Sequence, residues 1–207
     1  MTKQENWLEG EQYLKTVSPV FAFLIEKYGH CNLQPVLPER YYATLVKGIL
    51  AQQVASDVSQ NLFAAFTRVF GPVPDAQQIL DASEDQFINC GISGQKIQYV
   101  KDLSQNIING NITPDKFDDM DDNAIIKQLS SVRGLGRWTA EIFLILALGR
   151  PDILPADDFG LKKAVKMLFN LQQLPQKRSQ LTSLAEPWRP WRSLATWYLW
   201  QSFANME

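Results

Sequence analysis

Nine residues in the middle of the chain, Val132-Arg133-Gly134-Leu135-Gly136-Arg137-Trp138-Thr139-Ala140, constrain its fold more than any other segment. A short helical pattern at residues 123–129 precedes them. An apolar stretch at residues 138–148 follows, hydrophobic nearly all round and so expected to form a buried central helix. Two glycines one residue apart permit a very tight turn, including backbone with positive φ. Such a turn joins the two helices as a hairpin. It also leaves amide N–H groups at the start of the second helix. Those amides, with the helix dipole behind them, suit one phosphate group. Gly134, Gly136 and Thr139 are thus candidate phosphate-binding residues. A bare Gly-x-Gly is more often a purely steric turn, so its neighbours must decide.

The rest of the chain also reads as helix. Apolar residues recur at helical spacing through residues 41–70, with a break near Val54 to Ser56, and Gly71-Pro72-Val73-Pro74 ends that block. Ser83 starts a short segment reaching Cys90. Ile97, Val100, Leu103 and Ile107 mark a further helix, which Gly110 stops. Residues 115–122 read as an acidic turn. Helices are expected over 159–169, 179–188 and 191–204. No alternating run bounded by a hairpin turn suggests a strand. The expected architecture is all-α, with two helical lobes and a cleft between them. Residues 35–150, with the hairpin at 129–148, form the central lobe; residues 1–34 and 151–207 pack as the second.

Composition excludes several classes. Apolar residues make up 45% of the 207 and charged residues 20%, which is ordinary for a globular chain and not for a disordered one. The longest aliphatic and aromatic run, residues 142–148, is far short of the roughly 20 residues of a membrane helix. Two cysteines, Cys31 and Cys90, cannot supply a four-thiolate iron–sulfur or zinc site, and both read as buried apolar groups. The lone His30 reads as structural or exposed. The N-terminus lacks the basic-then-apolar start of a secretion signal. An intracellular location is expected, with no membrane partner: cytoplasm or nucleoid in a bacterium, nucleus in a eukaryote. The net charge of −2 by itself speaks against a polyanion partner. It is uneven, however. Residues 1–130 carry −6 and residues 131–207 carry +4, so the C-terminal third is the candidate polyanion face.

Five segments in order carry a family resemblance: Ile49-Leu50-Ala51-Gln52-Gln53-Val54, Cys90-Gly91-Ile92-Ser93-Gly94-Gln95-Lys96, Gly134-Leu135-Gly136-Arg137-Trp138-Thr139-Ala140, Leu154-Pro155-Ala156-Asp157-Asp158 and Trp188-Arg189-Pro190-Trp191-Arg192-Ser193. Over residues 39–204 the chain resembles the helix-hairpin-helix DNA glycosylases, in particular their alkylpurine (3-methyladenine) branch. Arg133 stands where the family often has proline, and Ile142 where it has a further aromatic residue.

The resemblance implies a base-excision-repair enzyme acting, as a monomer, on double-stranded DNA containing alkylated bases of the 3-methyladenine and 7-methylguanine class. It makes Asp158 the catalytic carboxylate and leaves Asp157 to cap the next helix or support the site; by local sequence alone either acid is an N-cap. A carboxylate beside the sugar stabilises an oxocarbenium-like transition state. Trp138 and Trp200 would face the base pocket, where a cationic alkylated purine is attracted to aromatic faces. Gln53 would be the wedge that fills the gap left by the flipped base. The backbone carbonyls of Ser130, Val132 and Leu135 are possible ligands of a monovalent or divalent cation; no other cofactor is implied. Bifunctional relatives carry a Schiff-base lysine two residues past the second glycine, where this chain has Trp138. Water is therefore the expected nucleophile and an abasic site the product. Two alternatives stay open at this level: a non-catalytic DNA-binding hairpin module, and a glycosylase for another lesion such as hypoxanthine or uracil.

Overall fold

A computed structural model describes residues 3–204, with side chains for 7–55 and 57–204. Among these residues the regular structure is helical throughout, with no strand. The α-helices are α1 (Lys3–Val17), α2 (Pro19–Tyr28), α3 (Tyr41–Leu50), α4 (Ser56–Phe70), α5 (Ala76–Asp81), α6 (Glu84–Ile88), α7 (Gly94–Ile108), α8 (Asp122–Ser130), α9 (Arg137–Leu146), α10 (Phe159–Leu168), α11 (Arg178–Leu184) and α12 (Arg192–Ala204). The chain divides into two compact units, residues 36–143 and residues 1–35 with 144–207. The division falls inside α9.

In the unit of residues 36–143, α3 buries Tyr41, Leu45, Val46, Ile49 and Leu50. That spacing covers one broad helical stripe, which is what commits it to the core. Phe66, Phe70 and Phe87 pack ring to ring, with centroids 4.8 and 4.9 Å apart. The Tyr42 hydroxyl bonds Ser104 Oγ at 2.6 Å, so a buried polar group is satisfied by its neighbour helix α7. Burial holds that phenol above its ordinary range.

In the other unit, α2 and α12 pack on α1. Here a carboxylate is fully buried. Glu11 Oε1 accepts from the Cys31 N–H and the Tyr198 hydroxyl, each at 2.8 Å, and Oε2 pairs with His30 Nδ1 at 2.7 Å. Three partners offset the desolvation of that charge. They also tie α1, the loop after α2 and α12 together, two residues before Trp200.

Several sequence-based expectations need correction. Residues 115–122 are not a plain turn: Pro114–Asp119 forms a 3-10 helix that buries Phe117. The stretch at 138–148 ends as a helix at Leu146, and it is not buried all round, because Trp138 and Leu146 are 43% and 42% exposed. Its one charge, Glu141, is buried and pairs with Arg137 Nε at 2.9 Å. The segment expected over 179–188 is the seven-residue α11 followed by a separate 3-10 turn, Glu186–Trp188. Cys31 and Cys90 are buried, and His30 is both exposed and bonded. No helix among the described residues is long and apolar enough to cross a membrane.

Candidate active site and nucleic-acid interface

The glycine hairpin lies between α8 and α9. Val132 and Leu135 are buried and anchor it, while Gly136, Arg137 and Trp138 are exposed. Leu135 N–H donates to Val132 O at 3.1 Å and closes the turn. Gly134 has φ +85°, and a Cβ there would sit 2.3 Å from the Tyr99 ring. Only glycine meets both conditions. Two side chains brace the turn: Asp102 Oδ2 accepts the Arg133 N–H at 2.9 Å, and Gln52 Nε2 donates to Gly134 O at 2.6 Å. Gly136 O accepts the first helical bond, from Ala140 N–H. The N–H groups of the first turn of α9 therefore have no intrahelical acceptor, as at any helix start. A Cβ on Gly136 would meet nothing within 4 Å.

A pocket of about 340 Å³ opens beside this turn, lined among others by Gln52, Gln53, Gly134, Gly136, Trp138 and Thr139. Five residues singled out in the sequence, Gln53, Gly134, Gly136, Trp138 and Thr139, therefore share one concavity. Gln53 sits in the turn between α3 and α4 with φ +56°, a left-handed conformation unusual for a non-glycine residue, and its side chain is exposed. A second pocket, of about 280 Å³, adjoins the same turn and is lined by Gln52, Gln53, Ser93 and Lys96 among others. Gln53 thus belongs to two depressions at once. Lys96 Nζ donates to Leu50 O at 2.6 Å, stapling the end of α3, and burial lowers its pKa from the ordinary lysine range.

In the other unit, Asp158 is the N-cap of α10. Its backbone is extended, and Oδ1 accepts the Leu161 N–H at 2.6 Å. The same oxygen accepts Trp200 Nε1–H at 3.0 Å. Close packing of α10 on α12 permits this pairing: a Cβ on Gly160 would lie 3.2 Å from the Phe203 ring. The cap is therefore Asp158, and of the two roles expected for Asp157, capping the helix or supporting the site, it does not take the first. Asp157 points elsewhere and pairs with Arg178 Nη1 at 2.8 Å. The chain turns between the two acids, with Asp158 N–H donating to Pro155 O, and this places α10 one residue later than a cap at Asp157 requires. Of the C-terminal tryptophans, Trp188 and Trp197 are core at 2% and 8% exposure, whereas Trp200 is half-buried at the carboxylate.

Asp158 with Trp200, and Trp138 with the hairpin, are thus gathered in their respective units. Ser130, Val132 and Leu135 flank the turn; Val132 O is already an acceptor, although a carbonyl has a second lone pair. Sequence reasoning missed Gln52 and Arg178 as supports. Gln52 stands inside a quoted motif, so the motif was its only signal. Arg178 carries no local signal, because its partner lies 21 residues away.

The HhH-GPD superfamily of base excision DNA repair proteins matches residues 46–190. Two relatives come from the fission yeast Schizosaccharomyces pombe. Alkylbase DNA glycosidase-like protein mag2 is 29% identical over 97% of this chain and 96% of its own length. DNA-3-methyladenine glycosylase 1 is 31% identical over 78% of this chain and 72% of its own. The solved structure of the S. pombe 3-methyladenine DNA glycosylase Mag1 in complex with abasic DNA superposes with a TM-score of 0.82 at 27% identity, over 94% of this chain and 96% of that one. With the family matching residues 46–190 and a relative 31% identical over 78% of the chain, the chain belongs to the HhH-GPD superfamily of base excision DNA repair proteins.

Proposed function

We propose that the protein is a monofunctional DNA glycosylase that removes alkylated purines of the 3-methyladenine and 7-methylguanine class and leaves an abasic site. One observation carries the reading: the Asp158 carboxylate is fixed by the Leu161 amide and the Trp200 indole together. An N-cap alone needs no indole, and a core tryptophan needs no carboxylate. The names of the relatives support the substrate class.

In the proposed reaction the C1′–N bond of the lesion breaks and its electron pair leaves with the cationic purine, which departs neutral. Asp158 opposes the positive charge growing on the sugar. A water oxygen bonds C1′, and its proton passes to the carboxylate or to solvent. Since the lesion already carries positive charge, no strong general acid is required. The hairpin amides and Thr139 hold a phosphate, Trp138 and Trp200 contact the base, and Gln53 wedges the gap. Carbonyls of Ser130, Val132 and Leu135 are the proposed ligands of a hairpin cation, which would offset phosphate charge. Duplex DNA is the partner, bound by the monomer, inside the cell.

The test is incubation with methylated duplex, scoring released base and strand breaks separately. Free 3-methyladenine or 7-methylguanine is expected, with breaks only after alkali or heat. Binding without release would favour the non-catalytic module. Release of hypoxanthine or uracil alone would move the substrate class. A borohydride-trapped protein–DNA adduct would contradict the monofunctional reading.

A further inference from the structure

The segment between α9 and α10 bears Asp158 at its end, and three arginines from later in the chain clasp it: Arg189 and Arg192 at Asp152, and Arg178 nearer the far end. At its start, Arg192 of α12 forks onto Asp152, with Nη2 3.0 Å from Oδ2 and 2.8 Å from the Asp152 carbonyl. Ser193 adds its N–H to Pro151 O and its Oγ to the Ile153 N–H, each at 2.9 Å. At its far end, Arg178 at the start of α11 reaches two points of the turn. Nη1 meets Asp157 Oδ2 at 2.8 Å, and Nη2 donates to Leu154 O at 3.2 Å. Between these points Ala156 N–H bonds Leu154 O, and Asp158 N–H bonds Pro155 O, both at 2.8 Å. One guanidinium therefore spans the turn whose last residue is Asp158.

The geometry points to Arg178 as a positioning residue for the Asp158 carboxylate. This rests on the glycosylase reading above. Arg178 acts through Asp157 and the Leu154 carbonyl. It opposes rotation of the 154–158 turn and pairs the acid adjacent to Asp158. As a stabiliser of the fold it is a poor candidate, because the pair is part-exposed: 32% for Arg178 and 50% for Asp157. Exposed pairs contribute little to stability. The clasp at Asp152 differs, with Arg192 only 11% exposed, and is the structural one. A carboxylate displaced by a fraction of an ångström from a developing charge loses much of its effect on rate while leaving phosphate contacts intact.

The test compares Arg178→Ala, Arg178→Lys, Asp157→Asn and the double variant Arg178→Ala/Asp157→Asn. Each is measured for single-turnover excision at saturating enzyme, affinity for lesion duplex and melting temperature. Arg178→Ala is expected to lose about tenfold in rate, with affinity and melting temperature near wild type. Arg178→Lys recovers only part, because an ammonium cannot reach carboxylate and carbonyl as a fork does. Asp157→Asn costs less in the Arg178→Ala background than alone, since the two act through one contact. If Arg178→Ala does not fold, Asp157→Asn weakens the same contact from the other side by removing its charge. A wild-type rate in Arg178→Ala overturns the proposal. So does a loss confined to affinity, which would make Arg178 a phosphate contact. Absence of excision by the wild-type protein overturns the glycosylase reading itself, and this inference with it.

Discussion

The hairpin at 132–137 and the turn at 154–158 are both short loops ahead of a helix, yet they are built in opposite ways. The hairpin is made of backbone. Its conformation depends on a glycine at φ +85° against the Tyr99 ring, and the groups it offers are main-chain amides. The acidic turn is made of side chains. Asp158 is oriented by an amide and an indole, and Asp157 by a guanidinium 21 residues away. A backbone anion site holds one phosphate of any sequence. A single oriented charge can act on one reacting atom. Binding and chemistry are therefore expected to be separable by mutation.

The largest expected effect is on the side-chain loop. Asp158→Asn keeps an oxygen that can accept from Leu161 and Trp200, so the cap costs less than about 1 kcal/mol. It removes the charge, and the excision rate falls about 100-fold or more, roughly 3 kcal/mol of barrier. The next effects fall on the backbone loop. Gly134→Ala meets both the positive φ and the Tyr99 ring, and thermal or denaturant unfolding is expected to show a loss of roughly 2–4 kcal/mol. Gly136→Asp meets open space, so the fold survives, while the new carboxylate repels the phosphate and duplex affinity drops about tenfold or more. If either change acts on stability where affinity is expected, or the reverse, the contrast between the loops fails.

A smaller effect is expected at Gln53. If it is the wedge, Gln53→Ala slows excision about tenfold from a paired lesion and less from a mismatched one, where unstacking is already cheap. Equal slowing on both substrates would remove it from that role. The last effect is silent at neutral pH and involves groups in both units. Burial pushes the Cys31 thiol from 9.0 to about 12, and the Tyr42 and Tyr198 hydroxyls also shift upward, Tyr198 helped by the neighbouring Glu11 carboxylate. The unfolded chain loses these protons first. Folded molecules then hold more protons, so stability falls as pH rises from about 9 towards 12. Melting temperatures from pH 7 to 11 check this. A flat profile above pH 9 would contradict it.

The same contrast explains what could be read from the chain. Glycine spacing is a local signal, and the hairpin, its flanking helices and α7 with its stop at Gly110 followed from residues close in sequence. Side-chain pairs are not local. The start of α10 at Phe159 is readable in the sequence and makes Asp158 its N-cap, but the partners that orient the two acids, Trp200 and Arg178, lie 42 and 21 residues away and leave no local pattern. α5 was missed although its signal was present: Asp75 and Gln78 form a capping box. Trp138 opens a stretch whose apolar pattern reads as a buried helix, and its place in the first turn of α9 leaves it 43% exposed.

The division of labour between the two loops is tested most directly by measuring lesion-duplex affinity and single-turnover excision for Asp158→Asn and Gly136→Asp side by side. Asp158→Asn is predicted to bind as wild type and barely excise. Gly136→Asp is predicted to bind poorly, yet to excise at a rate close to wild type once enzyme is saturating. Asp158→Asn retaining more than about a third of the wild-type rate, or losing affinity in parallel with Gly136→Asp, would contradict the account.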